Sequence, residues 1–205
     1  MARQRKIPVA EAQRDTYHHG DLKRALTDAA LDLVQEKGPK GFTLREVARR
    51  AGVSAAAPYR HFADKSDLLA AAATQGFIQL HEALSAAREG DPVTQALQMG
   101  RAYARWAIAH PDYYQVMFGS VLDKTDKPEM LTAGLTTFGD LLDVIVRCQE
   151  AGVLGAGDPS DIAGPVWSVL HGICMLAIGG DFNHVGIVED PQALAERALR
   201  ELLFA

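Results

Sequence analysis

The amino-acid sequence predicts an all-α protein of about nine helices. No stretch of useful length alternates apolar and polar residues in the way that a half-buried strand does. Residues 22–33, by contrast, carry apolar side chains at helical spacing. Five prolines in the second half also mark helix starts, because proline is tolerated at the first helical position and a preceding aspartate can cap. These starts are Asp91-Pro92, His110-Pro111, Lys127-Pro128, Asp158-Pro159 and Asp190-Pro191.

The first predicted helix runs from about Gly20 to Lys37, where Gly38 and Pro39 end it. Residues 1–16 before it are predicted to be a disordered basic arm. Its basic residues are Arg3, Arg5, Lys6 and Arg14. Such an arm either reaches a minor groove or phosphates of DNA or remains a solvated tail.

Two short helices around a tight turn are predicted next. Thr43 is a good N-cap, and Glu46 three residues later completes a capping box. Gly52 supplies the left-handed conformation that ends this helix, and Ser54 is suited to cap the next one. Helix, short turn and helix is the pattern with which small proteins place a helix on DNA. Pro58 removes a backbone donor from the second helix, which we expect to be tightened or bent.

A longer helix is predicted from about Ser66 into the high 80s. It joins the DNA-binding domain, residues 17–65, to a helical body, residues 66–205. The helices that begin at the five prolines are predicted over residues 91–109, 111–118, 128–151, 159–180 and 191–204. Residues 119–126 and 181–189 are predicted to be mobile loops.

The charge is distributed unevenly along the chain. The formal net charge of the whole is -5, which alone argues against nucleic acid because DNA affinity depends largely on Lys and Arg. Residues 1–65, however, carry +5, and residues 66–205 carry -10. This asymmetry is expected of a basic DNA-binding head on an acidic body.

Other classes of function find little support in the sequence. The N-terminal segment is basic and lacks an apolar core of signal-peptide length, so we expect a cytoplasmic protein. Residues 162–180 are uncharged and nearly long enough to span a bilayer, but they contain five Gly or Pro and have acidic flanks. We expect a buried helix there and no membrane partner. No catalytic constellation, cofactor motif or metal-ligand spacing is found, and Cys148 and Cys174 are predicted to be buried thiols.

One run of residues is more specific than the helix-turn-helix pattern alone. It has the spacing Y-x-H-F-x-x-K-x-x-L-L, formed by Tyr59, His61, Phe62, Lys65, Leu68 and Leu69. With this run, residues 20–70 resemble the TetR/AcrR family of transcriptional regulators. Residues 167–172, WSVLHG, are similar to the Trp-His-Gly signature of one C-terminal domain type in that family. The resemblance implies a homodimer whose body encloses a small-molecule site.

Phosphate contacts are expected around the helix-turn-helix. By resemblance, Tyr59 and Lys65 touch the DNA backbone, and Lys65 also starts a helix whose exposed amides favour an anion. Thr43 is similarly placed at a helix start. Arg45 and Arg60 are long enough to reach either base edges or phosphates.

Base-facing positions are expected at Ala55, Ala56 and Ala57. They carry no hydrogen-bonding group, which leaves thymine methyls, arginine contacts and DNA shape as sources of specificity. His61 serves either the core or a phosphate contact. The complete predicted DNA-binding set is Thr43, Arg45, Ser54, Ala55, Ala56, Ala57, Tyr59, Arg60, His61 and Lys65.

The body carries two further candidate sites. An aromatic, largely apolar cluster suits a hydrophobic effector. Its predicted lining is Trp106, Tyr113, Met117, Phe118, Phe138, Trp167, His171 and Met175. By resemblance, the last two helices form the dimer interface, where small residues and a leucine stripe allow close packing. That interface is predicted to contain Gly164, Gly172, Leu194, Ala198, Leu199 and Leu202, while Trp167 and His171 belong either to it or to the pocket.

The sequence therefore predicts a transcriptional repressor that a small hydrophobic effector releases from a pseudo-palindromic operator. Its expected partners are double-stranded DNA, a second copy of the chain and the effector, without a cofactor or a metal. The alternative is an all-α small-molecule-binding protein or enzyme with a vestigial DNA-binding head. The alanine triplet is the best support for that alternative.

Overall fold

The computed structural model describes residues 9–120, 122–123 and 126–204, with side chains from residue 22 onward. These residues contain nine α-helices and no strand, which confirms the predicted fold class. The chain divides between Ala72 and Ala73 into two compact units, here called the head and the body. The division lies within a helix and follows the predicted domain boundary at residue 65 by about two helical turns.

The head contains α1 (Val9–Lys37), α2 (Leu44–Arg50), a 3₁₀ turn (Pro58–Arg60) and the first turns of α3 (Lys65–Ser85). α2 packs against both α1 and the 3₁₀ turn. Each element turns an apolar face inward, because burying apolar surface is the main favourable contribution to folding. The core includes Leu26, Leu33, Val34, Leu44, Val47, Phe62, Leu68 and Leu69.

The body contains the rest of α3 and six further helices. They are α4 (Pro92–Ala109), α5 (Pro111–Phe118), α6 (Pro128–Glu150), α7 (Pro159–Gly179), α8 (Asp181–His184) and α9 (Pro191–Phe204). α4 packs against α5, α6, α7 and α9, and α7 also packs against α6, α8 and α9. The core of the body therefore lies around α4, whose residues Met99, Tyr103 and Trp106 are buried.

All five predicted proline starts are confirmed, since each proline is the first residue of its helix. Asp91, Asp158 and Asp190 also act as predicted. Their carboxylate oxygens accept backbone N–H groups of the following turn at 2.8 to 3.2 Å. These bonds satisfy amides that have no partner within the helix.

Two boundary predictions are wrong. α1 begins at Val9, so residues 9–16 of the predicted disordered arm are helical, while residues 1–8 lie outside the described residues. This part of α1 is mostly polar and lacks the apolar periodicity from which a helix can be predicted. The predicted loop at residues 181–189 contains α8, whose four residues are too short to show a period.

The second helix of the predicted motif is not an α-helix. Residues 55–57 form turns, and only Pro58–Arg60 are helical, with 3₁₀ geometry. Pro58 has no N–H with which to bond the Ser54 carbonyl, as an α-helix would require. The N–H of Ala57 takes that carbonyl instead at 2.9 Å, and the N–H of Arg60 bonds the Ala57 carbonyl at 3.2 Å. The expected tightening at Pro58 is therefore confirmed and extends through the whole segment.

Candidate functional site

The first helix of the motif is held at both ends as predicted. The Thr43 hydroxyl accepts the Glu46 N–H at 3.3 Å, and Glu46 Oε2 accepts the Thr43 N–H at 2.9 Å. Lys37 bonds the other Glu46 oxygen at 2.7 Å, and these hydrogen bonds lower the pKa of Glu46 to about 2. Gly52 ends α2 with a φ of 69°, in the left-handed region that glycine adopts readily. Thr43 is thus chiefly a positioning residue for α2.

The three alanines differ in exposure because of the tight backbone turn before Pro58. Ala55 and Ala56 are exposed, as is Ser54 before them, and they remain candidates for contact with bases. Ala57 is only 9% exposed, so its predicted base-facing role is wrong. The turn that precedes Pro58 directs the Ala57 methyl into the head, where Pro58 is also buried.

The residues after the 3₁₀ turn separate into a surface group and a core group. The Tyr59 side chain is 56% exposed and can reach a DNA backbone. Phe62 is buried, and the Lys23 ammonium lies 5.9 Å from the centre of its ring. His61 is half-buried, with its ring 6.4 Å from that of Phe62, which fits a packing role.

Two arginines of the head carry uncompensated charge on the surface. Arg45 and Arg60 are exposed, and neither forms an ion pair with a residue that the structure describes. Arg50, by contrast, bonds Glu36 at 2.7 and 2.8 Å, and Arg49 lies 4.0 Å from Glu46. Arg45 and Arg60 are therefore among the cations of the head that can replace counterions at DNA phosphates.

The Lys65 side chain forms hydrogen bonds within the head. Its ammonium donates to the carbonyl of Phe42 at 2.7 Å and to that of Lys40 at 3.2 Å, and it lies 4.1 Å from the centre of the Phe42 ring. Desolvation by these neighbours lowers the pKa of Lys65, although the nearby Glu46 opposes the effect. Two of its three N–H groups are engaged within the head, and its phosphate contact stays a prediction that the third could serve.

The body encloses an apolar cavity of about 310 Å³ between α3, α4, α6 and α7, with Phe118 from α5. Its lining consists of Phe77, Leu80, Leu84, Met99, Tyr103, Phe118, Met130, Leu131, Gly134, Leu135, Thr137, Phe138, Leu141, Trp167 and Leu170. None of these side chains is charged. A cavity of this size and composition suits a small apolar molecule.

The cavity lining includes some of the predicted pocket residues and not others. Phe118, Phe138 and Trp167 line the cavity. The other five, Trp106, Tyr113, Met117, His171 and Met175, do not. Trp106 and Met117 are buried in the core, while Met175 is on the outer surface of α7. Sequence reasoning missed α3, the start of α6 and the α4 residues Met99 and Tyr103, because the amphipathic pattern is the same for core and for cavity wall.

A chain of hydrogen bonds runs from the cavity wall into the body. The hydroxyls of Tyr103 and Tyr114 are 2.9 Å apart, and the Tyr114 hydroxyl lies 2.7 Å from His171 Nδ1. Burial raises the pKa of both phenols above the ordinary range, so both are neutral. Hydrogen bonds from Tyr114 and Trp167 act in the opposite direction on Tyr103.

The buried carboxylate of Asp140 on α6 forms a hydrogen bond with His81 on α3. Asp140 bonds His81 Nδ1 at 2.7 Å and is also paired with Arg88. Because a buried charge without partners is costly, this cluster has a structural explanation that needs no ligand. Among the described residues, no group of three or more His, Cys, Asp and Glu could hold a metal ion.

The outer faces of α7 and α9 contain most of the predicted dimer residues. Gly164 and Gly172 face open space, since a Cβ at either position would meet nothing within 4 Å. Leu202 is 45% exposed, and Leu194 and Ala198 are half-buried. Leu199 is wrongly predicted, because it is only 1% exposed and packs against Gly100 in the core.

α7 is long and apolar enough to cross a membrane by length and composition, with a mean hydropathy of 1.7. Most of that stretch is not buried within one chain, so the predicted buried helix is covered on only one side. Cys148 and Cys174 are buried as predicted, and burial raises the pKa of the Cys174 thiol to about 12. At neutral pH that thiol is unreactive.

Two family models match the chain. Residues 26–72 match the bacterial regulatory proteins of the tetR family. Residues 96–202 match the tetracyclin repressor-like C-terminal domain, and this match alone covers more than half of the chain.

Individual proteins show the same similarity. The HTH-type transcriptional regulator Mb1846 of Mycobacterium bovis is 27% identical over 107 residues, which are 50% of this chain and 45% of that protein. The chain spans about half the length of such curated relatives. A solved protein of unknown function from Rhodococcus sp. RHA1 is 32% identical, with a TM-score of 0.78 over 91% of this chain and 96% of that one. AibR, solved with isovaleryl coenzyme A and operator DNA, shares the fold at 16% identity, with a TM-score of 0.66 over 89% and 98% of the two chains.

Proposed function

Because the chain belongs to the TetR family of bacterial regulatory proteins, we propose that it is a homodimeric repressor whose body binds a small apolar effector. The observation that carries the proposal is the surface of the head. Arg45 and Arg60 are exposed and unpaired among the described residues, and the exposed Ala55 and Ala56 lie between them in sequence. Exposed cations suit phosphate contact, and exposed methyl groups in the same helix-turn-helix segment suit contact with a base edge.

In this proposal the head residues divide into two groups. Arg45, Arg60 and the exposed Tyr59 contact the DNA backbone, while Ala55 and Ala56 approach the major groove. Thr43 and Lys65 position this surface, since Thr43 caps α2 and Lys65 bonds the carbonyls of the segment before it. Specificity then comes from methyl contacts and DNA shape.

The proposed homodimer is supported by the surface of α7 and α9 that remains exposed in a single chain. Gly164, Ser168 and Gly172 recur every four residues on α7 and hence share a face, and no atom lies within 4 Å of a Cβ at either glycine. Met175, Leu176 and Leu202 expose apolar surface on α7 and α9. Close packing of a second copy would cover this surface. A two-fold dimer then binds two half-sites about one helical turn, or a multiple of it, apart.

The effector site is proposed to be the apolar cavity of the body. One helix, α3, contributes Phe77, Leu80 and Leu84 to its lining and also carries Lys65 in the head. An effector that favours one conformation of this helix changes DNA affinity by its differential affinity for the two states. AibR, a neighbour in fold alone, was solved with both a small molecule and operator DNA.

We further propose that the protein acts in the cytoplasm, where its operator lies. Its curated relatives are transcriptional regulators, and that role requires no chemical step. Covering α7 by a second copy is consistent with a soluble protein, since the apolar helix is then buried between two chains.

The experiment that tests this proposal is selection of bound duplexes from a random pool by the full chain. We expect enrichment of one sequence with two-fold symmetry. Failure to enrich any sequence at low salt, with a folded dimer, would favour the small-molecule-binding alternative. The Arg45→Ala, Arg60→Ala double variant serves as the control that should lose binding without losing its helical structure.

A further inference from the structure

The cavity wall offers very little polar chemistry. Of its fifteen lining residues, Tyr103 and Thr137 carry hydroxyls and Trp167 carries an indole N–H. The Thr137 hydroxyl bonds the backbone carbonyls of Ala133 at 2.9 Å and Phe77 at 3.1 Å. Because a hydroxyl has one proton, the donor of Thr137 is already used. Tyr103 is therefore the one lining side chain that can both donate a hydrogen bond to a ligand and accept one, since the indole N–H of Trp167 can only donate.

The hydroxyl of Tyr103 has one close partner. Tyr114, a fully buried residue outside the lining, has its hydroxyl 2.9 Å away. Tyr103 has one proton and two lone pairs, so this partner leaves at least one bonding position for a ligand.

The character of that position depends on the direction of the hydrogen-bond chain. When Tyr103 donates to Tyr114 and Tyr114 to His171 Nδ1, the Tyr103 oxygen keeps its lone pairs, which can accept a ligand hydroxyl. When His171 Nδ1–H donates to Tyr114 and Tyr114 to Tyr103, the Tyr103 proton remains, and it bonds a ligand carbonyl. The chain of three residues therefore accommodates either group.

The cavity lining offers no oppositely charged side chain to a charged ligand group. None of the lining side chains is cationic or anionic, and Asp140, next to Leu141 in the chain, is paired with Arg88 and hydrogen-bonded to His81. Transferring an ionised carboxylate from water into such surroundings is strongly unfavourable. Only the uncharged part of a molecule can be accommodated.

We infer that the cavity selects an uncharged, mainly hydrocarbon molecule with a single ketone, ester or alcohol oxygen bonded to Tyr103. This deepens the proposed function, since it rests on the cavity being the effector site. Leu131, Leu135 and Trp167 belong to the lining and are also exposed, so they extend the same uncharged, apolar surface toward the solvent.

The test uses four eight-carbon probes that differ only in their polar group: 2-octanone, 1-octanol, n-octane and octanoate, which is ionised at neutral pH. The full chain with Trp106→Phe retains Trp167 as its single tryptophan, so fluorescence reports from the cavity wall. We expect the ketone and the alcohol to bind at least 100-fold more tightly than octanoate.

Tyr103→Phe separates the hydrogen bond from the hydrocarbon contact. It should weaken 2-octanone and 1-octanol about threefold to tenfold, the range for one neutral hydrogen bond, and leave n-octane unchanged. Tyr113→Phe removes a hydroxyl of the same body outside the lining and should change none of the four. Equal binding of octanoate, no effect of Tyr103→Phe, or no binding of any probe would each overturn the inference.

The proposed effector role and the inferred ligand chemistry of the cavity can be tested independently of each other. If the ketone binds as expected but leaves the affinity for selected DNA unchanged, the cavity chemistry stands and the effector role is wrong. If a charged compound releases DNA without displacing 2-octanone, the effector role stands and this cavity is not its site.

Discussion

The Lys65 ammonium lies 2.7 Å from the Phe42 carbonyl oxygen and 4.1 Å from the centre of the Phe42 ring. These contacts connect the start of α3 to the segment before α2. The sequence motif in which Lys65 occurs predicts a phosphate contact, but the structure engages most of its donors within the head. The two roles lead to different results in solution.

Lys65→Ala should therefore act mainly on stability. Loss of hydrogen bonds from a charged donor should cost about 1 to 3 kcal/mol, measured by chemical denaturation. The slope of log affinity against log salt should change by less than one unit, whereas loss of a phosphate contact from each of two heads would lower it by about 2. A fall of about 2 at unchanged stability would restore the phosphate assignment.

Arg45→Ala and Arg60→Ala should act on DNA binding and not on folding. Each removes one exposed charge per head, so the salt slope of a dimer should fall by about 2 for either variant. Arg105→Ala removes the same charge from the body and should leave the slope unchanged. If the arginine variants lose sequence preference at a constant slope, these side chains read bases and do not bind phosphates.

Ala55 and Ala56 should contact thymine methyl groups, while the buried Ala57 should not. Burying one methyl contributes on the order of 0.8 kcal/mol, so replacing a contacted thymine by deoxyuridine in both half-sites should cost about 1 to 2 kcal/mol. Competition binding with singly altered duplexes measures this. Finding that every replacement costs less than about 0.3 kcal/mol would remove methyl readout and leave arginines and DNA shape.

Gly172→Leu should disrupt the dimer without unfolding the chain. A side chain at Gly172 meets no atom of the single chain, but it would block the close approach of a second copy. Gly139→Leu is the matched control, since its Cβ is equally free in the single chain and it lies on α6. Sedimentation should show a monomer for the first variant and a dimer for the second. A Gly172→Leu dimer would place the interface elsewhere.

Leu202→Asp and Leu199→Asp distinguish the interface from the core on the same helix. Because Leu202 is exposed, the Leu202→Asp variant should be a folded monomer. Its two aspartates would face each other across an isologous contact and repel. The Leu199→Asp substitution should instead unfold the body, since it would place an uncompensated carboxylate against Gly100 in the core. Circular dichroism with sedimentation separates the two outcomes. Identical behaviour of both variants would contradict this division.

The sequence predicts most helices because their signals are local. Proline at residues 92, 111, 128, 159 and 191, with aspartate caps at three of them, determines where helices begin regardless of tertiary contacts. The 3₁₀ geometry around Pro58 was predictable only as a tightening, since the extent of the change depends on how Ala57 packs. α8 and the start of α1 lack such signals.

The cavity was less predictable for a physical reason. Phe118 and Met117 are neighbours on α5, yet only Phe118 lines the cavity while Met117 is fully buried. Whether an apolar side chain borders empty space or another side chain depends on volumes contributed by several helices. The same holds for Leu199 and Leu202, which share α9 but face the core and the solvent.

The central claim is that the head reads a specific DNA sequence. The most direct measurement is the affinity of the full chain for its selected duplex and for a scrambled duplex of equal length at physiological salt. The proposal predicts binding of the selected duplex about 1,000-fold or more tightly, and weaker binding of both duplexes by the Arg45→Ala, Arg60→Ala double variant. Equal, weak binding of both duplexes by a folded dimer would contradict it and identify the chain as a small-molecule-binding protein with a vestigial head.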